Sequence, residues 1–215
     1  MKVCLNFSGG KDSTAMLLRL IELGERPDKI LFADTLMEFP EMYDYINMIE
    51  KRIGQKITRT KPNHNYFEWF FGTFTIGKHK GMMRGFPYVV SPCWYQREAK
   101  VVPMTKEQKG YDSILIGYAK GEEKRCMKDK KFRYPLIEWG WTEQDCINYL
   151  EKKGVLNPLY KKFKRLGCWI CHKQNKESLK VLKRDYPALW NILLQLNKLD
   201  EKGFRPNFNK ELRKK

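Results

Sequence analysis

Lys2-Val3-Cys4-Leu5-Asn6-Phe7-Ser8-Gly9-Gly10-Lys11-Asp12-Ser13 is the stretch on which the fold turns. Its first six residues read as a short buried strand, and from Ser13 an apolar-periodic run reads as a helix ending at Gly24. The turn between them suits phosphate. Adjacent glycines bend the backbone and bare its N–H groups, Ser8 and Ser13 add hydroxyls, and the new helix aims the positive end of its dipole at the same place. Lys11 supplies a mobile cation. A glycine turn with an ordinary helix cap is the plain alternative, but strand, donors, lysine and helix occur here in the order a phosphate cradle needs. The pattern is not the Walker one, because Asp12 stands where a Ser or Thr would meet magnesium.

Working outward, residues 29–34 read as a second strand with Asp34 at its carboxyl end, where open parallel sheets place ligand contacts. Pro40 opens a helix that runs to Gly54, residues 56–60 alternate as a third strand, and residues 113–117 form a fourth, closing on Gly117. These alternating units predict an α/β fold, a Rossmann-like parallel sheet of about five strands with helices on both faces and right-handed crossovers. Thr142 is an expected N-cap with Asp145 three residues on. A C-terminal helical appendage follows, two amphipathic helices dividing near Asp185-Tyr186-Pro187, and the stretch after Phe204 is basic. The expected organisation is one domain over residues 1–175 and a basic helical extension over residues 176–215.

The chain of 215 residues carries 42 Lys and Arg against 25 Asp and Glu, a net charge of +17. Such an excess predicts attraction to polyanions, RNA or DNA among them, with a solubilising lysine surface as the alternative. No apolar run approaches the roughly 18 residues that span a bilayer, and no signal-peptide core precedes the first charges. The expectation is a soluble cytoplasmic protein without a membrane partner. Residues 66–88 mix aromatic rings with Lys78, His79, Lys80 and Arg84, which suits either a base-stacking platform or lid, or a hydrophobic helix with a surface loop.

In a reducing cytosol, six cysteines including Cys168-x-x-Cys171 argue for metal or redox chemistry over disulfides. Cys4 and Cys146 occupy strand and core-facing helix positions and read as structural. That leaves Cys93 and Cys126 to join Cys168 and Cys171 in a tetrahedral site for zinc or for a [4Fe-4S] cluster, which spacing alone does not separate. His172 is either a fallback ligand or a surface histidine.

Ser8-Gly9-Gly10-Lys11-Asp12-Ser13 resembles the loop of the PP-loop ATP pyrophosphatases, the adenine nucleotide α-hydrolases. Asp34-Thr35 with Phe39-Pro40-Glu41 is similar to the Asp-Thr-Gly…Phe-Pro-Glu-Thr segment of the phosphoadenosine-phosphosulfate reductase branch, with Leu36 replacing the glycine. Lys100-Val101-Val102-Pro103-Met104 resembles the branch's Lys-Val-x-Pro-Leu. Gly117, Glu122 and Arg125 stand at or next to places in its Gly-x-Arg-x-x-Glu-Ser-x-x-Arg, where Ala119 and Glu123 replace the first arginine and the serine. Pro135-Leu136 with Trp141-Thr142 and Asp145, then Asn157-Pro158-Leu159-Tyr160 and Cys168-Trp169-Ile170-Cys171, complete a pattern spanning residues 1–175.

The resemblance implies that ATP is held by its β,γ-pyrophosphate and reacts at the α-phosphate. Phe7, Ser8, Gly9, Gly10, Lys11, Asp12 and Ser13 would line the nucleotide, with Asp34, Gly117 and Arg125 beside it. Lys11 and Mg2+ would stabilise the departing pyrophosphate, and Asp12 would orient the metal or its waters. Related reductases carry an iron–sulfur cluster on a Cys-Cys pair plus a Cys-x-x-Cys; Trp94 replaces the second member of the pair, so Cys126 would substitute for it. The expected function is ATP-dependent adenylylation, leading to sulfur transfer or another modification of a nucleic acid. The partners expected with it are ATP, RNA or DNA, a sulfur donor protein and a second copy of the chain. One alternative is a sulfonucleotide reductase, against which stand Ala119, Trp94 and a tail without cysteine. The other is a nucleotide- or nucleic-acid-binding accessory protein without turnover, against which stands the intact loop.

Overall fold

The computed structural model describes residues 1–87, 92–200, 203, 204 and 208. Tyr88 of the aromatic segment, Ser91 of the segment before Cys93 and the basic tail from 209 onward lie outside the described residues.

Among the described residues five strands, β1 (Val3–Phe7), β2 (Lys29–Ala33), β3 (Ile57–Thr60), β4 (Ser113–Ile116) and β5 (Phe132–Arg133), pair in parallel in the order β3-β2-β1-β4-β5. The Rossmann-like parallel sheet is therefore present. Cys4 and Leu5 point to opposite faces of β1 and both are fully buried, so both faces of the sheet are covered. β5 supplies the strand that the pattern left unnamed; its two residues pair with Ile114 and Leu115 and are too few to show an alternation.

The helices start and stop for local reasons. α1 (Lys11–Glu22) begins two residues before Ser13, because the Gly10 carbonyl already accepts the Thr14 N–H at 3.1 Å and the Thr14 hydroxyl at 2.9 Å. α2 (Pro40–Ile53) opens on Pro40, whose missing N–H costs nothing there, and closes on Gly54 at φ 61°, the left-handed cap that glycine takes without strain. Two short helices, α3 (Tyr66–Phe71) and α4 (Trp94–Gln96), come next, the second running into a π-turn over Arg97–Val101. Then come α5 (Val102–Glu107), α6 (Pro135–Glu138), α7 (Glu143–Lys152), α8 (Lys176–Asp185) and α9 (Pro187–Leu199). Thr142 caps α7 reciprocally with Asp145, and the two C-terminal helices divide at Tyr186. No described helix is long and apolar enough to cross a membrane.

The chain packs as two units that interleave along the sequence. The first comprises residues 1–34, 39–60 and 103–166 and contains the whole sheet. The second comprises residues 35–38, 61–102 and 167–215. Its described core is aromatic: Phe86 lies with its ring centroid 5.0 Å from Phe70 and 5.0 Å from Phe204, and its N–H donates to Asp200 Oδ2 at 2.7 Å.

Candidate active site

The strand order reverses its direction of growth between β1 and β4, and the carboxyl ends of those two strands are where a parallel sheet opens a crevice for ligands. Residues 8–10 leave the end of β1 there. Gly9 takes φ 70°, and a Cβ on it would lie 2.4 Å from Met42 Sδ. The positive φ favours glycine, and any side chain there would also have to push Met42 aside. Ser8 and Ser13 are tied across the loop, hydroxyl to hydroxyl at 2.9 Å, and the Ser8 N–H donates to Ser13 Oγ at 3.1 Å. From the far side, Gly117 follows β4 so closely that a Cβ would meet the Ser13 backbone nitrogen and Cα, each at 3.0 Å. Gly117 therefore makes room first of all for the loop itself. The N-cap Gly10 offers no side chain and the Lys11 N–H is taken by the Tyr160 hydroxyl, so it is the other N–H groups of the first turn of α1, with the positive end of its dipole, that face this crevice.

Lys11 and Asp12 form the charged part of the loop. Lys11 Nζ lies 3.1 Å from Asp12 Oδ2 and 2.7 Å from Glu143 Oε2. Burial works to lower the Lys11 pKa, but the Glu143 and Asp12 carboxylates outweigh it and hold the ammonium well above its ordinary value. Burial raises Asp12, with Lys11 opposing. Asp12 Oδ1 is buried and takes no hydrogen bond. Beside it the Cys146 thiol is pushed up to about 12, first by burial and then by Asp12, so this cysteine stays protonated and structural. Cys4, buried in β1, is likewise pushed up to about 11 by burial.

Three residues reach the loop that the sequence did not assign to it. The Lys11 N–H donates to the Tyr160 hydroxyl at 2.9 Å, and Asn157 Nδ2 donates to the Gly9 carbonyl at 2.9 Å. Asn157 also accepts the Leu159 N–H at 3.0 Å, so one 3-10 turn, Pro158–Lys161, presents both clamps. Glu143 is the third. The signals were Asn157-Pro158-Leu159-Tyr160, noted only as part of a pattern, and the acidic first turn after the Thr142 cap.

Of the other expected nucleotide residues, Phe7 is buried at the end of β1, and Asp34 is buried beyond β2, accepting the Tyr43 hydroxyl at 2.8 Å while its N–H donates to the Thr60 carbonyl at 2.9 Å. Arg125 is paired with Glu122, and its guanidinium lies 4.2 Å from the centre of the Tyr118 ring, which stacks on Tyr134 at 5.6 Å and 8°.

The cysteines divide between the units. Cys93, Cys168 and Cys171 belong to the second and Cys126 to the first. In the second unit Cys168 Sγ lies 3.4 Å from Thr35 Oγ1 and its thiol is pushed up to about 12, mainly by burial and next by Glu38. Lys100 sits in the same surroundings: burial works to lower its pKa, and Cys168, Glu38, Cys171 and Cys93 outweigh it. Cys126 is raised by burial and by Glu123 and Glu122. Among the described residues no three His, Cys, Asp or Glu side chains form a group that could hold a metal ion. Asp12 Oδ1, a buried carboxylate oxygen left without a hydrogen bond beside a phosphate-type loop, has the chemistry of a magnesium ligand.

The sequence profile of the phosphoadenosine phosphosulfate reductase domain matches residues 2–174. An uncharacterized protein of Methanocaldococcus jannaschii is 30% identical over 205 residues, covering 87% of this chain and 40% of that protein. The adenosine 5′-phosphosulfate reductase of Mycolicibacterium smegmatis is 25% identical over 157 residues, covering 66% of this chain and 60% of that enzyme. The chain thus spans less than two thirds of the length of either relative. The crystal structure of phosphoadenylyl-sulfate reductase from Candida auris, in its phosphate complex, is similar with a TM-score of 0.59 at 19% identity, covering 80% of this chain and 83% of that one. The likeness to it is one of fold.

Proposed function

The chain belongs to the phosphoadenosine phosphosulfate reductase domain family, and from the loop geometry we propose that it is an ATP-dependent adenylylating enzyme whose product is modified, by sulfur transfer or a related displacement, on a nucleic acid. The observation that carries this reading is the loop after β1, where Gly9, Gly10, the Ser8–Ser13 pair, the start of α1 and Lys11, paired with Asp12 and Glu143, converge at the crevice between β1 and β4.

In the proposed reaction Lys11 and the N–H groups of the loop and of the first turn of α1 that are not held by Ser8, Ser13 and Tyr160 bind the β,γ-pyrophosphate of ATP, the held ones keeping the loop in shape. An acceptor oxygen attacks the α-phosphorus, the bond to the bridging oxygen breaks, and pyrophosphate leaves with that electron pair while the acceptor gives up its proton to solvent. Lys11 meets the charge that develops on the leaving group, which is where a fixed cation lowers a barrier. Asp12 would hold Mg2+ through Oδ1, and the ion supplies neutralisation of phosphate charge. Displacement of AMP from the acceptor by a sulfur or nitrogen nucleophile then completes the modification; a donor protein is the proposed source of sulfur. The net charge of +17 supports a polyanionic acceptor. The adenylylation needs no iron–sulfur or zinc site. Visible spectroscopy and elemental analysis after anaerobic purification test whether Cys93, Cys126, Cys168 and Cys171 take one up.

The experiment is pyrophosphate release from ATP, with and without added RNA or DNA. The wild type releases it and Lys11→Ala, folded, does not; retained release in Lys11→Ala refutes the role given to that side chain. A second reading, sulfonucleotide reduction, is favoured by the relatives named as adenosine 5′-phosphosulfate reductases. Thiol-dependent sulfite release from adenosine phosphosulfate, with no pyrophosphate from ATP, would select it.

A further inference from the structure

Residues 69–97 contain two lysines, two arginines and a histidine but no Asp or Glu, in a chain that carries 25 of those acids elsewhere. The first half of this run is an ordered excursion from the end of α3. Thr73 bridges Met83 and Phe74 bridges Lys80, the Phe74 N–H donates to the Met82 carbonyl at 3.0 Å, and the Gly81 N–H donates to the Phe74 carbonyl at 2.8 Å. At its base the Gly85 N–H donates to the Phe70 carbonyl at 3.0 Å, and the Arg84 guanidinium lies over Trp69, 4.0 Å from the ring centre. Gly77 and Gly81 take φ 78° and 83°, the left-handed bends that let so short a loop close on itself.

What the loop presents is unusual for a solvent-facing turn. Ile76 is 82% exposed, Met82 51% and Phe71, the last residue of α3, 51%, and Lys78 and Lys80 of the same segment are exposed as well. Apolar side chains cost free energy in water, and a held loop that keeps three of them outward beside cations and without a single carboxylate has the composition of a partner surface. The partner must be anionic and must offer flat apolar faces. A double helix offers the charge but stacks its bases away; an unpaired strand offers both.

We propose that this loop, through Phe71, Ile76, Lys78, Lys80 and Met82, is a docking surface for single-stranded nucleic acid, with the lysines on phosphates and Phe71 against a base. The assignment rests on the proposed nucleic-acid acceptor and names the surface that receives it.

The test is fluorescence anisotropy with a short labelled single-stranded RNA of mixed sequence, its DNA counterpart and the duplex, across a salt series. The Tm shift produced by ATP is read on every variant. Lys78→Ala/Lys80→Ala is expected to lower affinity for the single strand and to flatten the slope of log affinity against log salt by about 1.4, the share of two phosphate contacts on a single strand. Phe71→Ala is expected to lose about tenfold in affinity at every salt concentration with an unchanged slope. The control Lys180→Ala/Lys183→Ala, two exposed lysines on α8, changes neither. All three variants keep the ATP-induced Tm shift, which Lys11→Ala loses. Equal losses in the α8 control, equal affinity for duplex and single strand, or a wild type that binds no nucleic acid but captures acidic protein through the same lysines each overturns the assignment. Those outcomes leave the nucleotide site standing, whereas a wild type without an ATP-induced shift counts against that site alone.

Discussion

At Lys11 the two carboxylates that keep the ammonium charged are also its competitors for phosphate. Glu143 is 57% exposed and holds Nζ at 2.7 Å, so an incoming polyphosphate must displace it. With Glu143 open to solvent, the pair is screened and worth up to about 1 kcal/mol. Glu143→Gln is therefore expected to tighten ATP binding by a few-fold in calorimetry; weaker binding would contradict the competition. Tyr160→Phe removes the acceptor of the Lys11 N–H and is expected to cost about 1 kcal/mol of stability, read as a fall in the denaturant midpoint. Leu36 gives a sharper case, because it stands where the family's glycine would and is the one described non-glycine residue with positive φ, at 59°. Leu36→Gly is expected to change stability by less than about 1 kcal/mol, relieved strain offsetting lost packing, whereas Leu36→Val, branched at Cβ, costs about 1–2 kcal/mol. Equal losses would show that the backbone carries no strain there. The loop of Ser8, Gly9, Gly10 and Lys11 between β1 and α1 was legible in the sequence because its residues are contiguous. Asn157 and Tyr160 were not: they reach the loop from 148 and 149 residues away, and no local pattern encodes a contact of that separation.

At the scale of elements, propensity and caps account for most boundaries. α2 was readable from Pro40 and Gly54 and α7 from Thr142 and Asp145, since each end carries the chemistry that satisfies it. The π-turn over Arg97–Val101 was not readable. Pro103 cannot continue an ordinary turn onto the carbonyl of residue 99, and the turn ahead of it widens so that the Val102 N–H bonds the Arg97 carbonyl. The join between α2 and β3 can be tested. Glu50 accepts the Ile57 N–H at 2.8 Å and pairs with Arg59 at 2.6 Å; burial works to raise its pKa, and these partners outweigh it and hold the carboxyl below its ordinary 4.5. A carboxylate depressed on folding contributes stability that is present above its unfolded value and is lost as pH falls through the lower, folded one. Glu50→Gln is expected to cost about 1 kcal/mol near neutral pH, with the gap to wild type closing as acid protonates Glu50. A gap that stays unchanged as the pH is taken from neutral through 4.5 and on to the acid unfolding of the wild type would rule out the charge as its source.

For the whole molecule, the alternating strand and helix units specified the parallel sheet, and the sheet order then placed Gly117 against Ser13 at the crevice. The interleaving of the two units was beyond sequence reading. Residues 35–38 leave the sheet-bearing unit to join the second, where Tyr95 donates its hydroxyl to the Thr35 carbonyl at 2.8 Å and the Trp169 N–H donates to the Met37 carbonyl at 2.9 Å. Those bonds connect segments that share no periodicity. The same holds for the cysteines, since no spacing encodes that Cys93, Cys168 and Cys171 fall in the second unit and Cys126 in the first. The net charge, by contrast, needs no fold to be read, and it directs the search for the acceptor toward polyanions. The central claim is that ATP is held by its β,γ-pyrophosphate and cleaved at the α-phosphate. Chromatographic analysis of the nucleotide products formed from ATP in the presence of RNA tests it most directly. AMP or an adenylylated acceptor in step with pyrophosphate, abolished in Lys11→Ala, is the result predicted; ADP with inorganic phosphate would contradict it.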